Sequence, residues 1–128
     1  MKKLLLTLLA PLLLVTGSAW AEWVRVGSVD GAVFYIDPAS IRKDGNLVKV
    51  WKIQDLKQRD KAGELSRRNR SEYDCKEERH RFLSLSTHSG PLASGTTLYT
   101  NDFPGKPDTW KQIPPGSVVE TVLKIVCE

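Results

Sequence analysis

The fold class of this chain depends on its C-terminal stretch, Val118-Val119-Glu120-Thr121-Val122-Leu123-Lys124-Ile125-Val126-Cys127. At about 100° per residue its aliphatic side chains fall within one arc of about 160°, and its polar side chains occupy the opposite side. Glu120 and Lys124 stand four positions apart, in the order that stabilises a helix. A strand is the competing interpretation, because β-branched residues dominate. The helical spacing of the polar residues favours a helix that begins near Pro115 or Ser117.

Upstream of this predicted helix, runs of β-branched and aromatic residues alternate with turn signals. Asp30-Gly31 is typical of a hairpin turn, and Lys43-Asp44-Gly45-Asn46 and Lys76-Glu77-Glu78 predict two further turns. Residues 54–64 and 101–107 lack periodicity and are predicted to be loops. The predicted strands are 23–28, 32–37, 47–53, 66–75, 79–88 and a short one at 98–99. Strands followed by one helix predict an α+β domain.

The N-terminus has the features of a secretory signal peptide. Lys2 and Lys3 precede a nearly continuous apolar run over residues 4–15, and Ala19 and Ala21 form a small-residue cleavage pattern. The run is too short and wrongly flanked for a membrane anchor, although an uncleaved N-terminal helix is the alternative. We therefore expect export to remove residues 1–21, leaving a mature domain of residues 22–128 with no stable membrane span.

Export changes the interpretation of Cys75 and Cys127, the two cysteines of the chain. In an oxidising compartment an even count favours a disulfide, and two cysteines allow one intramolecular pairing. The alternative is two free thiols, although no Cys-x-x-Cys spacing is present. A long closed loop would give the bond about 4 kcal/mol of stability in the chain-entropy model. A helix lying on the sheet would bring Cys127 within reach of Cys75 on a strand.

The charge balance argues against nucleic acid as a partner. Nineteen basic against fifteen acidic residues give a net charge of +4, which falls to +2 once Lys2 and Lys3 are removed. Arg67, Arg68 and Arg70 form the densest positive cluster of the mature chain. This cluster predicts either a contact for an anionic partner, such as a lipid headgroup, a glycan or an acidic protein, or a solvated sheet edge.

Residues that support catalysis or metal binding form no recognisable motif. His80 and His88 are the only histidines, and if one strand spans 79–88 they share a face as ordinary, half-exposed residues. The sequence contains no His-x-x-x-His, no Gly-x-Ser-x-Gly and no phosphate-binding glycine motif. The prediction is therefore that the chain is not an enzyme and holds neither a cofactor nor a metal.

Two predicted strands are apolar on both faces. In residues 47–53 and 32–37, apolar side chains occupy odd and even positions alike. A single helix covers one side of a sheet, and a half-solvated antiparallel sheet should alternate apolar with polar residues. The other face therefore either carries an aromatic-aliphatic patch for a ligand or a second copy, or is covered by loops 54–64 and 101–109. The sequence does not determine on which face of the sheet Trp51 lies.

A series of short motifs runs along the mature chain: Trp23, Phe34-Tyr35-Ile36-Asp37, Ser40-Ile41, Val48-Lys49-Val50-Trp51, Ser71-Glu72-Tyr73-Asp74-Cys75, Arg81-Phe82-Leu83-Ser84, Trp110, Pro115-Gly116-Ser117 and Val126-Cys127. In this order they resemble the surface-adhesin protein E family of exported proteobacterial proteins. The resemblance implies a curved antiparallel sheet of about six strands with a C-terminal helix packed on one face. It also implies that a disulfide corresponding to Cys75–Cys127 ties that helix to the sheet. The family's named member is an outer-membrane adhesin that binds host proteins.

Two classes of function follow from these observations. The first is an exported, non-catalytic binding module, adhesin-like, that contacts host or envelope components from the periplasm or the cell surface. The second is a structural or accessory periplasmic protein that acts through self-association or an envelope partner. The residues predicted to contact a partner are Trp51, Arg67, Arg68 and Arg70.

Overall fold

The computed structural model describes residues 22–103 and 109–128 as an α+β domain, which confirms the predicted fold class. The predicted signal peptide, residues 1–21, and residues 104–108 of the predicted C-terminal loop lie outside the described residues. The strands are β1 (Val24–Val29), β2 (Ala32–Ile36), β3 (Arg42–Asp44), β4 (Leu47–Leu56), β5 (Ser66–Asp74), β6 (Arg79–His88), β7 (Thr97–Asp102) and β8 (Lys111–Gln112). The helix is α1 (Val118–Val126), and short 3-10 turns occupy Pro38–Ser40 and Pro91–Ala93.

The strands form one open sheet in the order β1-β2-β4-β5-β6-β7, in which each neighbouring pair is antiparallel. These six strands correspond to the six predicted ones. Two short strands add to them: β3 pairs with β4, and β8 pairs with β6. Part of β3 falls within the predicted turn at residues 43–46, because a three-residue polar strand has no alternation that sequence analysis detects.

The C-terminal helix begins and ends as its sequence predicts. The Ser117 side chain caps it by accepting a hydrogen bond from the Glu120 backbone N–H at 3.1 Å. Glu120 in turn accepts from the Gly116 N–H at 3.0 Å, so one free backbone donor of the first turn and one just before the helix are satisfied. The predicted disulfide between Cys75 and Cys127 is present, and it joins the end of β5 to the end of the helix.

The helix packs on one face of the sheet, which we call the helix face. The core there combines Ile36, Val48, Val50 and Tyr73 of the strands with Val122, Leu123 and Val126 of the helix. Because side chains alternate along a strand, Lys52 and Gln54 of β4 also lie on the helix face. Leu47, Lys49, Trp51 and Ile53 therefore lie on the opposite face, which we call the far face.

One end of the far face is covered by a loop that was not among those expected, and residues 104–108 of the expected loop 101–109 lie outside the described residues. Ile53 is fully buried, and the loop that contains Pro91–Ala93 lies against this end of the sheet. In that loop the Leu92 N–H donates to the Asp55 carboxylate at 2.7 Å, and the Ala93 N–H donates to the Ser66 hydroxyl at 2.9 Å. Within the described ranges no helix is long and apolar enough to cross a membrane.

Candidate functional site

The middle of the far face carries an aromatic side chain flanked by two arginines. Arg68 and Arg70 are two positions apart on β5, so both point to the face on which Trp51 lies. The guanidinium carbon of Arg68 lies 3.9 Å from the Trp51 ring centroid, and that of Arg70 lies 5.9 Å from it. Both are cation–π distances. Three of the four residues predicted to contact a partner thus form one group, which we call the Trp51 stack.

The third arginine of the predicted cluster, Arg67, lies on the helix face instead. It pairs across the strands with Gln54, and its guanidinium forms ion pairs with Glu64 and, at 2.9 Å, with Asp60. The prediction of a single three-arginine cluster is therefore wrong. Consecutive strand residues point to opposite faces, so neighbours in sequence are separated by the thickness of the sheet. Arg67 instead holds the loop after β4 against the sheet.

The Trp51 stack carries net positive charge. Across the described ranges neither Arg68 nor Arg70 forms an ion pair, and the buried Nε of Arg70 has no hydrogen-bond partner. Burial lowers the pKa of the Arg68 guanidinium, and the nearby Asp37 carboxylate opposes that shift. An arginine pKa starts far above neutrality, so the Arg68 guanidinium remains charged.

A second tryptophan–arginine group, the Trp110 stack, lies on the same face nearer the β5–β6 turn. The Trp110 ring centroid is 4.7 Å from Arg79 and 4.1 Å from Arg81. Unlike the Trp51 stack, this group is neutralised: Arg79 pairs with Asp74 at 3.1 Å and Arg81 with Glu72 at 2.6 Å. Sequence analysis missed the Trp110 stack, because Trp110 reaches these arginines only through the pairing of β8 with β6.

The two histidines differ from their predicted environment. Both are buried rather than half-exposed, and they lie on opposite faces, because a β-bulge between Phe82 and Ser84 shifts the alternation of β6. His80 stacks on Tyr73 of the helix face, whereas His88 bonds to Ser86 at 2.7 Å on the far face. Burial lowers both pKa values, to about 4 for His80, with Lys52 and Lys111 adding to that shift.

A polar groove of about 280 Å³ adjoins the Trp51 stack. It runs along β6 and β7, and its lining includes Trp51, Arg68, Ser84, Ser86, His88, Thr97, Thr100 and Asp102. Hydroxyl groups and an arginine suit hydrogen bonding to an acidic or polar surface better than acid–base chemistry. Among the residues that the structure describes, no group of three or more histidine, cysteine or carboxylate side chains is arranged to hold a metal ion.

The fold and this surface define a disulfide-tied antiparallel sheet domain with a cationic aromatic patch. Residues 23–128 match the family model of the surface-adhesin protein E, and the chain therefore belongs to that family. No curated protein sequence matches the chain.

Solved structures of Haemophilus influenzae protein E have a similar fold. One is 13% identical, with a TM-score of 0.62, and the match covers 90% of each chain. Its selenomethionine form is 16% identical, with a TM-score of 0.61 and coverage of 93% of this chain and 92% of that one. Protein E from non-typeable H. influenzae is 17% identical, with a TM-score of 0.54 and coverage of 93% and 81%.

Proposed function

We propose that this protein is an exported, adhesin-like binding module that recognises an acidic protein surface through the Trp51 stack. Family membership supports the adhesin-like role. The observation that carries the choice of surface is the pair of unpaired guanidinium groups on the Trp51 ring. Arginine and tryptophan are the residue types that most often dominate protein interfaces.

The contrast with the Trp110 stack supports this choice. Arg79 and Arg81 already have carboxylate partners within the chain, so a ligand would have to displace Asp74 or Glu72. Arg68 offers its donors without such competition and lies beside the polar groove. An incoming carboxylate can accept two parallel hydrogen bonds from a guanidinium that the indole ring already holds in place. The partner we propose therefore presents aspartate or glutamate side chains.

Surface plasmon resonance against a panel of purified extracellular-matrix proteins tests the binding surface. The double variant Arg68→Gln, Arg70→Gln should weaken binding by about tenfold or more, because charge-assisted hydrogen bonds are lost. Arg25→Gln is the matched control, since Arg25 is an exposed arginine on the edge strand β1. If the double variant and Arg25→Gln lost equal affinity, or if neither lost any, the Trp51 stack would not be the binding surface.

Localisation separates this proposal from an accessory role in the periplasm. We propose that residues 1–21 are removed on export, and intact-mass measurement should then show Glu22 as the first residue. Protease treatment of whole cells should degrade a protein on the cell surface and spare one in the periplasm. Protection in whole cells, with digestion only after the outer membrane is opened, would favour the accessory protein.

A further inference from the structure

A cavity of about 300 Å³ lies on the helix face, beside the first half of α1. Its walls are mainly apolar and come from β1, β2, β4, β5, β6 and the helix, with Val26, Phe34, Phe82, Val118 and Val119 among the apolar residues. The helix approaches β1 closely here, since a Cβ on Gly27 would lie 3.2 Å from Val118. Among the described residues, the cavity is therefore bounded by closely packed strands and the helix.

One charged group faces this apolar space. Of the described residues that line the cavity, Lys52 alone carries a formal charge. Its ammonium donates to the Tyr73 hydroxyl at 2.8 Å and lies 5.2 Å and 5.8 Å from the ring centroids of Tyr73 and Phe82. Within the described ranges Lys52 has no carboxylate within ion-pair distance. An ammonium has three N–H donors, so donors remain for a ligand.

Among the residues that the structure describes, none near Lys52 supplies an anion that would neutralise it. His80 stacks on Tyr73 and stays uncharged at neutral pH, because its pKa is lowered to about 4. The other polar residues of the described lining, among them the amides Gln54 and Asn69 and the hydroxyl residue Ser117, are neutral. An unpaired charge in an apolar setting is costly, and a bound anion would offset that cost.

We propose that this cavity binds a small amphipathic monocarboxylate, with its carboxylate on the Lys52 ammonium and its apolar tail among the valine and phenylalanine side chains. A water molecule occupies about 30 Å³ of liquid, so the cavity accommodates on the order of ten non-hydrogen atoms. A medium-chain fatty acid has this size, whereas a two-chain phospholipid does not. The site is independent of the Trp51 stack, which lies on the other side of the sheet.

Titration of the isotope-labelled exported protein with decanoate, below its micelle concentration and at neutral pH, tests the proposal by NMR. Decanoate should saturate a single site and shift the amide signals of Phe34, Val118 and Val119. Lys52→Met removes the charge but keeps an unbranched side chain, and should weaken decanoate binding about tenfold or more. Lys49→Met is the matched control, because Lys49 lies on the far face of the same strand. The affinity of Lys49→Met for decanoate should equal that of the unmodified protein.

Decanol has the same apolar tail as decanoate but no charge, so it tests the contribution of the tail alone. It should bind the unmodified protein and Lys52→Met with equal affinity. In the unmodified protein, it should bind more weakly than decanoate. Val119→Phe narrows the cavity without changing the ammonium, and should weaken both ligands even if Lys52→Met does not fold. Equal decanoate affinities in the unmodified protein and Lys52→Met would overturn the proposal. So would the absence of saturable binding, or shifts confined to Arg68 and Arg70 on the far face.

Discussion

The two faces of the sheet are stabilised by different interactions. On the helix face, aliphatic side chains such as Val50 and Val122 are buried together, and a disulfide joins the strand to the helix. On the far face, tryptophan rings lie between arginines, and buried carboxylates such as Glu72 pair with some of those arginines. Alternation along each strand places these two chemistries one residue apart in the sequence.

This difference shows where free binding capacity remains. On the helix face, Lys52 lies beside a cavity without an ion-pair partner among the described residues. Ion pairing on the far face satisfies the Trp110 stack and leaves the Trp51 stack cationic. Each face therefore has one region that contributes to stability and one that we propose as a binding site. Substitutions should separate the stabilising regions from the open ones.

The largest effect on stability is expected from the disulfide. Cys127→Ser should lower the free energy of unfolding by about 2–5 kcal/mol, because the bond closes a long loop in the unfolded chain and holds the helix on the sheet. Guanidinium denaturation with and without reductant measures this loss. Reductant should shift the midpoint of the unmodified protein and leave that of Cys127→Ser unchanged. Identical midpoints in all four measurements would contradict the prediction.

The second largest effect is expected at the buried ion pair of the far face. Glu72→Gln should destabilise the protein by about 2–3 kcal/mol, because the buried ion pair between Glu72 and Arg81 is lost. Thermal or urea unfolding provides the measurement. Glu77→Gln is the control, since Glu77 is exposed in a turn and should change stability by less than about 0.5 kcal/mol. Equal losses of stability in Glu72→Gln and Glu77→Gln would mean that the ion pairs of the Trp110 stack contribute little to stability.

Lys52→Met should have a smaller effect of the opposite sign. Burial lowers the pKa of Lys52 from 10.5 to about 8, so the folded protein releases a proton that the unfolded chain still holds. Stability of the unmodified protein should therefore rise as the pH increases from about 8 to 10.5. Lys52→Met should remove this rise and, without ligand at pH 7, add about 1–2 kcal/mol. Lys49→Met should retain the rise in stability between about pH 8 and 10.5. If Lys49→Met also abolished this rise, the pH dependence could not be assigned to Lys52.

The smallest effect on stability is expected in the Trp51 stack. Arg68→Gln should change the free energy of unfolding by less than about 1 kcal/mol, because a half-exposed cation–π contact is weak and no ion pair is lost. Chemical denaturation of Arg68→Gln and Glu72→Gln under the same conditions compares the two losses of stability directly. A destabilisation as large as that of Glu72→Gln would show that the Trp51 stack is structural and weaken its assignment as a binding surface.

Local sequence patterns predicted much of the fold. The aliphatic arc and capping serine of residues 117–127 predicted the helix, and Asp30-Gly31 and residues 76–78 predicted turns between strands that the structure confirms. The even cysteine count predicted the disulfide. These predictions were correct because the helix and the turns depend on residues that are neighbours in sequence, and because two cysteines allow one intramolecular pairing. The short strands β3 and β8 were missed, since they form only against a partner strand.

The candidate sites depended on tertiary structure. Sequence analysis named Trp51, Arg68 and Arg70, but cross-strand register decided that these three meet and that Arg67 does not. A single bulge in β6 placed His88 on the face opposite to His80, which no periodicity could indicate. The cavity at Lys52 exists because the helix packs against β1 and β2 from far along the chain. Sequence alone thus determined the six main strands, the helix and the disulfide that links them. Long-range packing decided which charges are paired and which are free, because pairing requires partners that only the folded chain brings together.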